Sequence, residues 1–336
     1  MRTTTRRQFL TASAASLLAG ASGVLSTKRV AAADPEPRRR PNLLYGLTTG
    51  TWHQETPPGE ALPLLKILDE TASGGFDGIR LTGYPAILDR NHLTEEQLAD
   101  ELAGRGLLFS TSSFGGEFRD RSQQADILRS ARRTLAMHPR HGCTAATFFP
   151  SSAVRPGEDE AEAYRETFRF LAEMGKMAVE EYGVRMGVHN LPGSLVMTQE
   201  QVDRYLDNTD PRYVFCAWDL GHLYLDGCDV TATVRRSIDR LVLLDLKDGV
   251  RNPSTDDFVA PNGQRWAGDS ERGRFLNSEW EAGRGEIDFA AVYQVLKAGG
   301  YRGWVIHDLH AVRASAAVSA HIGMSYINNR LDPIYQ

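Results

Sequence analysis

From Leu43 to Leu309 the sequence alternates eight times between a short apolar run and a longer amphipathic segment. Runs of four to eight apolar residues bounded by turn signals read as strands, and apolar residues at a 3.6 period read as helices. The strands are predicted at 43–52, 75–81, 107–113, 143–149, 185–189, 213–219, 241–248 and 303–309. Helices are predicted at 60–73, 94–104, 121–137, 158–182, 198–206, 230–239, 287–298 and 311–328. Thr94 and Gln97 have the spacing of a capping box, and Gly183 closes the longest helix. Eight consecutive units with no second domain predict an α/β fold, a single (β/α)8 TIM barrel over 42–330. No G-x-G-x-x-G follows the first strand, so a dinucleotide fold is not expected. The pattern breaks once, at 249–286, a polar, glycine-rich stretch. Such a loop is functional or disordered, and this one follows a candidate ligand strand.

Four consecutive runs stop at a residue that binds cations: MGVHN at His189, FCAWDLGH at Asp219, LVLLDLKD at Asp245 and WVIHDL at His307. Strand side chains two apart share a face, so Gly187, Ala217, Leu243 and Val305 would point into the barrel below each polar tip. Any one tip alone is as well explained by a hydrogen-bonded core histidine or a helix-capping aspartate. Two imidazoles and two carboxylates on one ring form a donor set for a divalent metal ion, Mn, Co, Zn or Fe. Carboxylates gathered at a desolvated mouth also need a cation to stay ionised. His222, Lys247 and Asp248 lie just beyond these tips and are the catalytic candidates, with Lys247 suited to hold an oxyanion. Arg80, Trp52, His53 and His310, at the ends of other strands, are candidates for substrate binding. Trp266 and Trp280 of the long loop could close over a substrate or meet a partner.

At the N-terminus, Thr5 to Leu10 (TRRQFL) resembles the twin-arginine export signal, followed by a mildly apolar segment and an A-x-A-type site at 31–33. Residues 1–33 are therefore expected to be removed and 34–41, polar and proline-rich, to form a linker. The first 33 residues carry five basic and no acidic side chains, so their loss takes the formal charge from −5 to −10. A mature chain that acidic is not expected to bind nucleic acid. No later segment has the length of a membrane span, so the expected location is periplasmic or secreted. Cys143, Cys216 and Cys228 are too few for a disulfide framework and are expected as buried thiols.

GFDGIRL at the second strand, WDLGH at the sixth, LKD at the seventh and GRGEIDFAAVYQVLKAGGYRG leading into the eighth together resemble the xylose isomerase-like TIM barrels of the sugar isomerase/epimerase superfamily, over nearly all of 42–328. The resemblance implies a metal site of Glu, Asp, His and Glu on strands five to eight. This chain has His189, Asp219, Asp245 and His307 there, and Arg80 where relatives often carry Glu. In related epimerases the two glutamates shuttle the substrate proton, a role a metal-bound histidine cannot take. The expected activity is metal-dependent isomerisation or epimerisation of a non-phosphorylated sugar or keto-sugar, with a base among His222, Asp248 and His310. The alternatives are a keto-glycoside lyase or hydratase of the same fold, and a non-catalytic sugar-binding barrel. The endonuclease IV branch of this fold needs more ligands than the chain offers. A homo-oligomer is left open.

Overall fold

The apolar runs are strands because they can be buried on both faces, by side chains inside the barrel and by helices outside it. The computed structural model describes residues 43–335; the twin-arginine stretch and the linker lie outside the described residues. Eight parallel strands close on themselves: β1 (Leu44–Thr48), β2 (Gly78–Thr82), β3 (Leu108–Gly115), β4 (Ala145–Phe149), β5 (Arg185–Val188), β6 (Phe215–Asp219), β7 (Leu241–Leu246) and β8 (Trp304–His307), with β1 paired to both β2 and β8. The outer helices that complete the eight units are α1 (Leu64–Ser73), α2 (Glu95–Gly104), α3 (Arg121–Leu135), α4 (Glu160–Tyr182), α5 (Gln199–Asn208), α6 (Val230–Arg236), α7 (Phe289–Ala298) and α8 (Ala316–Tyr326), with further short helices between strands and outer helices. The Thr94–Gln97 capping box is present in both directions, and Gly183 ends α4 at φ 67°. Among the described residues no helix is long and apolar enough to cross a membrane.

Inside the barrel, Ala145, Phe215, Ala217, Leu243 and Ile306 pack with Trp304. Gly187 belongs to the same layer, where a Cβ would stand 2.8 Å from the Cβ of Ala217. Asp219 and Asp245 therefore rise above interior neighbours, as the alternation requires. On β8 the register is the opposite of that expected. Trp304 and Ile306 face inward, while Val305 joins the outer core shared with the helices. His307 consequently points outward, its Nε2 3.3 Å from Ser319 Oγ of α8 and its ring against Phe76. It is corrected from metal-ligand candidate to outer-core residue, and burial pushes its pKa down to about 4. The run WVIHDL does not reveal this: Trp304, Val305 and Ile306 are all apolar, as are the three residues before Asp245, so alternation carries no information about which one faces in.

The stretch 249–286 is a folded insertion rather than a loose lid. It contains a helix (Glu271–Ser278), a two-stranded ladder of Phe258–Val259 with Arg265–Trp266, and a second ladder joining Glu279–Trp280 to Asp248–Gly249. Phe258, Ala260 and Leu276 pack with Ala311 as a small core of their own. Asp248 ties its far end down. Its carboxylate accepts hydrogen bonds from the backbone N–H groups of Gly249, Gly283, Gly285 and Ile287. A Cβ at Gly285 would fall 2.3 Å from Asp248 Oδ1, which explains the second glycine of GRGE. Asp248 is thus corrected from catalytic candidate to anchor of the insertion.

Candidate active site

Nine ionisable side chains converge at the C-terminal mouth of the barrel, where the strands of this fold deliver their functional residues. Arg80 comes from β2, His189 follows β5, Asp219 ends β6, and Asp245 and Lys247 belong to and follow β7. His222 lies in the short helix Leu220–Leu225, Glu279 in the insertion, and Asp308 and His310 follow β8. Of the predicted ligands, His189, Asp219 and Asp245 meet. Asp308, one residue beyond His307, occupies the corner that His307 was expected to fill.

Two cations organise the cluster. Arg80 places Nη1 2.7 Å from both oxygens of Asp245 and Nη2 3.1 Å from Asp308 Oδ2. Lys247 is wholly buried, with Nζ 2.9 Å from Asp219 Oδ2, 3.1 Å from Glu279 Oε1, and 3.1 Å from both His222 Nε2 and His310 Nδ1. Burial alone would lower the pKa of this ammonium, but Asp219, Glu279 and Asp308 hold it well above the ordinary lysine range. Arg80 is raised in the same way by Asp245 and Asp308 against its own burial. Conversely, Lys247 holds Glu279, Asp308 and, after His222, Asp219 below the usual carboxylate range although burial opposes it. Gly221 of the WDLGH motif makes the lysine's path possible: a Cβ there would stand 2.9–3.1 Å from three carbons of the Lys247 stem.

The imidazoles are fixed from both ends. Asn190 accepts from the backbone N–H of Asp219 and donates to its carbonyl, while its own carbonyl lies 3.0 Å from His222 Nδ1. Asp219 caps the short helix through the His222 N–H and lies 3.3 Å from His222 Nδ1. On His222, burial and Lys247 favour the neutral ring and Asp219 the charged one, and the balance is a raised pKa. Glu279 grips His310 twice, accepting its backbone N–H at 3.2 Å and lying 3.3 Å from Nδ1. The rings of His222 and His310 are parallel, 6.2 Å apart, on either side of Lys247 Nζ. His310 is the accessible member, with 33% of its side chain exposed.

The donor atoms of His189, Asp219, Asp245 and Asp308 all lie within 4.8 Å of one another, a group able to hold a metal ion. Two observations fit that. Asp219 Oδ2 and His189 Nδ1 are buried without a hydrogen bond of proper geometry, although Lys247 stands 2.9 Å from the first and Asp245 3.1 Å from the second. Four buried carboxylates also face only two permanent cations, an acidic excess that a divalent ion would balance. Donors of one nitrogen and three oxygens suit a hard or borderline ion.

The remaining sequence candidates lie apart. Trp52 is not at the mouth but fully buried against α1, its Nε1 donating to Glu70 Oε2 at 2.6 Å. His53 is exposed, and its pKa is lowered first by partial burial and then by the charge of neighbouring His310. Glu279 and Asp308 were missed by the sequence reading. Glu279 sits in the insertion with no apolar run before it, and Asp308 was hidden by the unreadable register of β8.

A family model described as xylose isomerase-like TIM barrel matches residues 68–327. The inosose dehydratase of Bacillus velezensis is 27% identical over 305 residues, covering 87% of this chain and 98% of that protein. Among solved structures, an L-ribulose 3-epimerase superposes with TM-score 0.65 at 16% identity, covering 87% of this chain and 95% of that one. The IOLI protein with a bound zinc atom superposes with TM-score 0.66 at 16% identity, covering 87% and 98%. These structural likenesses show the fold, and the relatives are enzymes.

Proposed function

Since the chain belongs to the xylose isomerase-like TIM barrel family, we propose that it is a lyase of that family, a dehydratase that eliminates water from a polyhydroxylated ketone such as a keto-cyclitol or keto-sugar. The relatives named inosose dehydratase support elimination over the isomerisation expected from the sequence. The observation that carries the reading is the Glu279–His310 pair set against the Lys247 ammonium. With the Nδ1 proton directed to Glu279, Nδ1 accepts nothing from Lys247, which then acts on the ring only through its charge, and the lone pair of the partly exposed His310 stays on Nε2. A carboxylate that orients an imidazole makes it a positioned base.

His310 Nε2 takes the proton from the carbon beside the ketone. The electron pair moves toward the ketone oxygen, and the enolate that forms is favoured by the positive field of the buried Lys247 ammonium behind His310. The hydroxyl on the next carbon leaves as water after receiving the same proton back from His310. His222 and Asp219 hold Lys247 in place, and Asn190 holds both. A divalent ion held by His189, Asp219, Asp245 and Asp308 would supply Lewis acidity toward the ketone oxygen. The two-glutamate proton shuttle of related epimerases has no counterpart, because His189 and Asp308 stand at those corners, with Asp308 paired to Arg80. Export by the twin-arginine route, with substrates that lack phosphate, is part of the same proposal.

The test is incubation with keto-inositols and 3-keto-glycosides, with and without added Mn²⁺, followed by mass spectrometry. Loss of one water is expected, abolished in His310→Gln. A product of unchanged mass would mean isomerisation or epimerisation instead. Ligand binding without any product would favour the non-catalytic barrel.

A further inference from the structure

We propose that Arg80 is a built-in competitor for the metal ion, holding Asp245 and Asp308 until a cation displaces it. This rests on the metal reading above and adds a property of this chain's own residue.

The grip of Arg80 on Asp245 is unusual for a guanidinium. Paired arginines present two N–H groups side by side to the two carboxylate oxygens. Here one nitrogen, Nη1, stands 2.7 Å from both oxygens of Asp245, as a point charge seated in the notch of the carboxylate. Nη2 reaches the second acid, Asp308, at 3.1 Å, and Nε is buried with no hydrogen-bond partner. The side chain is 5% exposed. Arg80 therefore has poor directional bonding but good charge placement, across two of the four residues whose donor atoms converge. The other half of that group is underused: Asp219 Oδ2 and His189 Nδ1 lack hydrogen bonds of proper geometry. An ion entering there meets His189 first and shares Asp219 with Lys247, whose Nζ lies 2.9 Å from its Oδ2, but gains Asp245 and Asp308 only by taking them from Arg80. A buried carboxylate left with neither cation is costly, so the exchange must be one for the other.

It follows that the free energy of the Arg80 pair is subtracted from that of metal binding. Wild-type protein then loads weakly and reversibly, and loses its ion to mild chelation. Removing the guanidinium should tighten binding and make the fold depend on the ion, since whatever binds only the native state stabilises it.

The experiment measures Mn²⁺ and Zn²⁺ binding to the full-length protein by isothermal titration and by elemental analysis after dialysis, with thermal melts with and without metal, for wild type, Arg80→Lys and Arg80→Met. Lysine keeps the charge but cannot span both carboxylates, so affinity should rise from wild type through Arg80→Lys to Arg80→Met, by about tenfold or more overall. The rise in Tm on adding metal should follow the same order. Recovery of Arg80→Met only when metal is present also supports the exchange, and should that variant not fold at all, Arg80→Lys against wild type decides. Equal or weaker binding by the variants overturns the competition while leaving the metal reading intact. No bound metal in any of the three overturns both.

Discussion

Replacing Lys247 by methionine removes one charge while keeping most of the buried stem, so it isolates what the ammonium does. Its Nζ stands 2.9 Å from Asp219 and 3.1 Å from Glu279, and neither acid has any exposure. At an effective dielectric of about 20, each contact is worth roughly 5–6 kcal/mol of gross attraction. Desolvation of the three groups opposes much of that sum. What the substitution exposes is the uncompensated burial of two carboxylates, for which truncation of one partner costs about 3–5 kcal/mol. The whole fold is stabilised by about 5–15 kcal/mol, so Lys247→Met should remain folded but with a much lower guanidinium midpoint at unchanged slope. Adding Glu279→Gln removes one of the stranded charges, and the double variant should recover at least about 1 kcal/mol relative to the sum of the single changes. Denaturation at pH 7.5, followed by tryptophan fluorescence, measures all four proteins. A loss below about 1 kcal/mol, or simple additivity, would refute the claim that a charged lysine holds this site together.

Two further predictions concern other parts of the molecule. Asp248→Ala removes the acceptor of four backbone N–H groups, so limited proteolysis should cut within 249–286 faster than in wild type; equal cleavage rates would show that the ladder and the small core suffice to hold the insertion. His138 and His307 are buried with pKa values lowered to about 4. The unfolded chain therefore binds more protons than the fold between their unfolded value and pH 4, and the stability these neutral rings contribute is complete above about pH 6.5 and lost as pH falls toward 4, by up to about 3 kcal/mol each. His307→Asn should flatten that slope in a series of melts from pH 7.5 to 4.5, and an unchanged slope would contradict the buried neutral ring.

The barrel was legible because its signal is repeated eight times and each unit is long. Three of the four expected corners, His189, Asp219 and Asp245, meet because the residue two positions earlier, Gly187, Ala217 or Leu243, does face the barrel interior. The fourth does not, because Ile306 rather than Val305 faces inward, and a run that is apolar on both faces, as before Asp245 too, does not encode that choice. Arg80 was read as a substrate contact, since nothing along the chain announces that a residue of β2 will reach Asp245, 165 positions away. Glu279 was illegible for a different reason. Its place depends on how the insertion folds back along Asp248–Gly249, a tertiary matter that local spacing does not encode. Asp248 looked chemical because it follows a lysine at a strand end, yet its oxygens are used up by main-chain donors.

Glu279 also separates ancestry from chemistry in this molecule. The staves of the barrel supply three acids and both cations, whereas the acid that aims His310 arrives on a detour between β7 and α7. Selection can therefore reorient His310, the proposed base, by rewriting the excursion, leaving the barrel beneath it untouched. A graft of this excursion onto a sister barrel would transport the orientation of that imidazole as a single heritable unit.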